Sequence, residues 1–241
     1  MGLVTLTGIV LSSSDVGEFD KRMVILTKEC GRVTAFAKGA RRPNNPLVAA
    51  CSPFCFGVFD AYEGRSSYHI TKANISNYFR DLVLDYDKVC LGSYFLEVAD
   101  HLSVEGVDER ARLALVYQSL KALESGKFSH RLLKNIYDFK NWVIDGEYPN
   151  VFSCMCCGKK ENLTTFSIKR QGMLCKSCSQ TEAGVDISSS TLYTMQFIVS
   201  STIEKLYTFV LNNETEEEFT RILDAYRLNY RSHKYKSEEF L

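Results

Sequence analysis

Cys154, Cys157, Cys175 and Cys178 form two C-x-x-C pairs separated by 17 residues. That spacing fits a four-thiolate zinc site. A C-x-x-C turn aims two sulfurs at one point, and two such turns complete a tetrahedron with sulfurs about 2.3 Å from the metal. The alternatives are a redox dithiol, which needs only one such pair, and a set of buried thiols. We expect one structural Zn2+ and no open coordination position, hence no metal-assisted catalysis. Gly158 and Gly172 lend backbone freedom beside each pair, and Thr164 to Ile168 reads as a strand between them. Register makes Cys156 a neighbour of the site and not a ligand.

Other chemistry is absent from the sequence. It holds no P-loop, no G-x-S-x-G and no H-E-x-x-H. His69, His101, His130 and His233 have no carboxylate or cysteine at ligand spacing, so each is read as surface or packing. A second feature is cationic. Lys38, Arg41 and Arg42 lie on a loop leaving a strand-like run, where they could reach a phosphate backbone; Lys21, Arg22, Lys169 and Arg170 are further candidates. Lys+Arg minus Asp+Glu is 10 − 6 = +4 over residues 1–80 and 8 − 12 = −4 over 81–153. It is 5 − 2 = +3 over 154–185 and 6 − 9 = −3 over 186–241. The net charge of zero thus hides two basic segments that could share a polyanion.

The elements that carry these residues differ in period. Alternating runs at Leu3–Leu11, Met23–Thr27, Val33–Lys38, Phe54–Phe59 and Tyr68–Ala73 predict five short strands and a small closed barrel, with Gly8 and Gly57 at bends or bulges. From about Asp81 the period becomes helical, with one helix through Val89 and Leu102, another ended by Ser125-Gly126, and a third through Leu132 and Val143. Beyond the cysteines, Ser188 to Ser190 cap a helix running to Leu206, and Thr215 caps the last. The fold class expected is α+β: a barrel domain at 1–80, then a helical domain at 81–241 with a zinc-binding insertion at about 150–185. At 45% hydrophobic with no apolar run near 18 residues, the chain can bury a core and shows no membrane span. The stretch from Met1 to Thr5 does not read as a signal peptide. Free thiols among nine cysteines point to a reducing cytoplasm.

The runs Gly8–Leu11, Lys21–Thr27, Gly31–Arg42 and Pro53-Phe54, with the Cys-x-x-Cys-Gly and Gly-x-Leu-Cys-x-x-Cys halves, resemble the bacterial RecO family of DNA repair and recombination mediators over the whole chain. The most specific stretch is Lys38-Gly39-Ala40-Arg41-Arg42. The resemblance implies an OB-fold that binds single- and double-stranded DNA, annealing of complementary strands, and action in a RecF-type pathway. It also implies the partner RecR, recognition of the single-strand-binding protein's tail, help in loading RecA, and a cytoplasmic, nucleoid-associated place. OB barrels bind single strands with a positive groove and stacked aromatics. Phe36, Phe54, Phe56 and Tyr68 supply aromatics on the strands; Tyr68 is the better stacking candidate, while most of the phenylalanines are expected in the barrel core. The acidic run Glu238-Glu239 departs from a DNA-gripping tail. Two other functions compete: a protein-interaction scaffold whose barrel is structural, and a zinc enzyme on nucleic acid, which a closed four-cysteine site disfavours.

Overall fold

The computed structural model describes residues 2–231 and 233–241; Met1, where the reading of the leader begins, and Ser232 lie outside them. Strands β1 (Leu3–Val16), β2 (Asp20–Thr27), β3 (Gly31–Ala37), β4 (Phe56–Glu63) and β5 (Tyr68–Asn77) close into a barrel in the order β1-β2-β3-β5-β4. All neighbours are antiparallel except β3 and β5, which pair in parallel over Ala35–Ala37. This is the small closed five-stranded barrel that the alternation predicts, of the OB type that the resemblance implies. Leu6, Met23, Ile25, Val33, Ala35, Phe59, Ala61 and Ile70 point inward because side chains alternate faces along a strand.

Several strands run longer than their apolar cores. β1 continues through Ser12–Val16, paired with Asp20–Val24, although these β1 residues are mostly polar. β4 starts at Phe56 and not Phe54, because Phe54 adopts φ 71°, a left-handed conformation that no strand residue takes. Gly57 sits at a register shift in the β4–β5 ladder, and a Cβ there would lie 2.3 Å from the Asn74 carbonyl oxygen. Gly8 differs from expectation: its register is continuous, and the bulge in β1 falls between Val10 and Ser12. Gly8 is needed for close approach instead, since a Cβ would lie 2.2 Å from the Leu26 carbonyl oxygen.

A first compact unit, Met1–Gly126 with Tyr235–Leu241, holds the barrel and helices α1 (Arg80–Val83), α2 (Tyr86–Leu102) and α3 (Arg110–Ser125). α2 and α3 pack on β1 and β2, and Val24 and Leu26 are buried despite facing away from the barrel interior. Gly126, at φ 66°, ends α3 in the left-handed cap that Ser125-Gly126 predicts. The terminal segment packs on α2. The Tyr235 ring lies edge-on to Tyr94 and His101, and the Glu97 carboxylate accepts from the Lys236 N–H (3.0 Å), the Ser237 N–H (2.9 Å) and the Ser237 hydroxyl (2.6 Å).

The second unit, Lys127–Lys234, contains α4 (His130–Ile144), the sheet of β6 (Leu163–Ser167), β7 (Gly172–Cys175) and β8 (Val185–Asp186), then α5 (Ser189–Ser200) and α6 (Asn213–Tyr230). Phe139, Trp142, Met195, Ile198, Phe219 and Leu223 are buried. The buried Lys140 ammonium donates to the carbonyls of Ile198 (2.9 Å) and Ser201 (2.7 Å), satisfying acceptors that the end of α5 leaves open. Ser201 is extended, so α5 stops at Ser200 and Leu206 falls outside it. Ser188 caps α5 as expected, but α6 begins earlier than expected: Asn212 is its cap, accepting from the Thr215 N–H at 2.8 Å. No helix among the described residues is long and apolar enough to cross a membrane.

Candidate metal centre and nucleic-acid interface

The knuckle is built by turns that only particular residues permit. Cys154 to Gly158 forms a tight turn, closed by Gly158 N–H on the Cys154 carbonyl (2.9 Å), with Gly158 at φ 73°. Asn162, also left-handed at φ 54°, redirects the chain into β6 and accepts the Lys176 N–H on its carbonyl. β6 and β7 pair antiparallel, which brings Cys175 at the end of β7 back to the first cysteine pair. Gly172 allows the Asn150 backbone to approach; a Cβ there would lie 2.6 Å from the Asn150 carbonyl oxygen.

The Sγ atoms of Cys154, Cys157, Cys175 and Cys178 all lie within 4.8 Å of one another, and Cys157 and Cys175 are 3.7 Å apart. A tetrahedron with 2.3 Å arms has edges of about 3.8 Å. The four sulfurs therefore could hold one metal ion with little adjustment. Cys156 stays outside the group and is exposed. Burial opposes the Cys154 thiolate, but N–H donors from Cys175, Cys157 and Cys156 outweigh it and pull its pKa down to about 6. The Cys178 thiol is pushed well up, chiefly by its hydrogen bonds to Cys175 and Cys157. Four thiolates this close repel one another, and a bound cation would let all four stay deprotonated together.

The predicted basic residues fall into separate places. Lys38, Arg41 and Arg42 follow β3 at one end of the barrel, in a loop anchored by the Gly39 N–H on Asp20 (2.7 Å) and the Arg41 N–H on the Phe19 carbonyl (2.9 Å). Lys38 is exposed. The Arg42 guanidinium lies 4.7 Å over the Phe19 ring at the β1–β2 turn, and Arg42 is exposed. Arg41 is partly engaged already, by an ion pair with Asp15 at 3.2 Å and a hydrogen bond to the Glu18 carbonyl at 3.1 Å. Lys21 and Arg22 lie on opposite faces of β2: Lys21 pairs in register with core-facing Ala37, Arg22 with outward Phe36. Lys169 and Arg170 sit at the β6–β7 turn, where Arg170 is ion-paired with Glu182. Lys159, Lys160 and Lys176 line a concavity of about 690 Å³ beside Cys175.

Tyr68 is not offered to a ligand. It is 7% exposed within the barrel core, and burial, followed by its hydrogen bond with Cys30, raises its phenol pKa. Inward Tyr68 and outward Phe36 exchange the roles expected of them, because Phe36 alternates with core-facing Ala35 and Ala37 while Tyr68 shares the inward face of Ile70. Phe54 and Phe56 lie outside the barrel core expected for the phenylalanines: buried Phe54 lies against Gly92 of α2, and half-buried Phe56 packs on Tyr117 of α3 at 4.6 Å.

An OB-type barrel followed by helices and a four-cysteine knuckle defines a class of architecture, and comparison with known families narrows it. Residues 1–79 match the family described as Recombination protein O N terminal, and residues 83–239 match Recombination protein O C terminal. The chain belongs to the RecO family of DNA repair proteins. It is 29% identical over 232 residues to the DNA repair protein RecO of Clostridium novyi (strain NT), covering 96% of this chain and 90% of that protein. It is 27% identical over 242 residues to that of Thermoanaerobacter sp. (strain X514), covering 100% and 98% respectively. The RecO protein of Alkaliphilus metalliredigens (strain QYMF) is 26% identical over 238 residues, 95% of this chain and 97% of that one.

Proposed function

We propose that the chain is a non-enzymatic DNA-binding recombination mediator that binds single- and double-stranded DNA, anneals complementary strands, and helps load RecA together with RecR. The observation that supports this reading is the cationic end of the barrel, where exposed Lys38, Arg41 and Arg42 lie on one anchored loop in a RecO-family chain. Cations on a fixed loop bind phosphate without reading sequence, which suits a protein that must act on any strand. Arg22 on the outer face of β2, and Lys169 and Arg170 on the knuckle, are assigned as secondary contacts. The ion we assign to Cys154, Cys157, Cys175 and Cys178 is a single Zn2+, whose part is to hold the knuckle folded. The chain would act in the cytoplasm at the nucleoid.

The tail of the single-strand-binding protein is placed on the helical unit. A groove of about 720 Å³ lined by Tyr193, Phe197, Phe209 and Val210 supports that placement. An annealing assay tests the main reading: complementary oligonucleotides should pair faster with the protein at low salt, and the rate should fall as salt rises. Partner binding with no effect on annealing and no DNA affinity would favour a scaffold instead.

A further inference from the structure

One row of outward residues crosses the barrel. In register, Arg22 on β2 pairs with Phe36 on β3, Phe36 with His69 on β5, and His69 with Tyr62 on β4. Their chain neighbours Met23, Ala35, Ala37, Tyr68, Ile70 and Ala61 belong to the barrel core, so all four point outward. The rings of Phe36 and His69 are 6.2 Å apart at 32°. Tyr62 is 47% exposed, Arg22 and His69 are exposed, and Phe36 is half-buried. Adjacent strands lie about 4.8 Å apart, so the three rings span about 10 Å of surface.

We infer that Phe36, His69 and Tyr62, with Arg22 at one end, form a stacking platform for the unpaired bases of single-stranded DNA. This rests on the DNA-binding reading above and adds to it a base-stacking contact beside the cationic loop. Three observations favour a nucleic acid over a protein partner. The apolar strip is one residue wide: beyond Tyr62 it reaches its register partner Leu3, 64% exposed, while the positions alongside are polar, Thr5 donating to the Asp60 carboxylate at 3.0 Å and the Thr71 hydroxyl to the Asp60 carbonyl at 3.0 Å. It ends in a guanidinium, which stacks on bases as readily as on rings. And Lys38 lies two residues beyond Phe36, so the row adjoins the cationic loop, giving bases and phosphates separate partners. Of the carboxylates near the row, Asp60 accepts from the Thr5 hydroxyl, Asp20 accepts the Gly39 N–H, and Glu63 is exposed next to Tyr62.

The test uses full-length protein, a single-stranded oligothymidylate and a duplex of equal length. Tyr62→Ala and His69→Ala should each weaken single-strand binding by about 5- to 100-fold. Tyr62→Phe, which keeps the ring, should stay within about 2-fold of wild type. Duplex affinity and the slope of log K against log salt should not change, because stacking releases no counterions and paired bases are not exposed. Thermal unfolding midpoints near wild type would separate lost stacking from lost cross-strand packing; should one variant fail to fold, the other decides. Single-strand affinity unchanged in both variants, or a loss equal on single strands and duplex, overturns the platform while leaving the DNA-binding reading intact. A wild-type protein that binds neither oligonucleotide overturns both.

Discussion

At the scale of single residues, the barrel depends on two positions where no side chain fits. Gly8 and Gly57 pair across β1 and β4, and each faces a backbone carbonyl that cannot retreat. Gly8→Ala should lower the unfolding free energy by about 1–3 kcal/mol or more, because it overpacks a rigid contact; urea denaturation would check this, and an unchanged midpoint would contradict it. That glycines matter in these strands is visible in the sequence, but which one bulges and which one admits a neighbour is not, since both questions depend on the partner strand. The aromatics differ: alternation already puts Phe36 on the face of Arg32, Thr34 and Lys38 and Tyr68 on that of Ile70, and what the sequence does not give is the β3–β5 pairing that sets Phe36 beside His69. The cations were legible as a cluster; their inequality was not, because Arg41 finds Asp15, which lies in a part of β1 that reads as loop.

At the scale of elements, the knuckle is the most legible piece of the chain, because two short turns fix the ligands locally and leave little to tertiary context. Metal analysis should find one Zn2+ per chain in wild type and in Cys156→Ser, and much less in Cys175→Ser. Because metal binding and local folding are coupled, that last variant should also be cleaved by protease within about residues 150–185, and chelation should have the same effect. Full occupancy in Cys175→Ser would contradict the ligand assignment. The terminal element is the reverse case. Nothing in Lys236-Ser237-Glu238-Glu239-Phe240 announces that its N–H groups will be capped by Glu97, 139 and 140 residues away. Burial opposes the Glu97 carboxylate, and the donors of Ser237 and Lys236 outweigh it, holding its pKa below the usual carboxylate value. A carboxyl whose pKa falls on folding contributes stability above its unfolded pKa of about 4.3 and loses it as pH drops through the lower folded value. Amide exchange at residues 235–241 should therefore be slow near pH 7, after correction for intrinsic rates, and protection should fade below about pH 4; Glu97→Gln should show reduced protection already at neutral pH. Equal protection in both proteins at neutral pH would remove Glu97 as the anchor.

At the scale of the molecule, charge is segregated by segment: +4 on residues 1–80 and +3 on 154–185 against −4 and −3 on the stretches between and after. The barrel's share lies partly on an anchored loop, and the knuckle's partly around a concavity beside its cysteines. Phosphate neutralisation by such a loop releases counterions, and this gives the central claim a direct test. Binding of wild type and of Lys38→Ala/Arg42→Ala to oligonucleotides of unrelated sequence should be titrated against salt. Arg41 is left in place because it also ties the loop to Asp15. For wild type, log K should fall linearly with log salt and alike for all sequences; the double variant should bind more weakly, with a slope shallower by about 1.4 on single strands and about 1.8 on duplex. A double variant with wild-type affinity and slope would contradict the claim that this end of the barrel holds DNA.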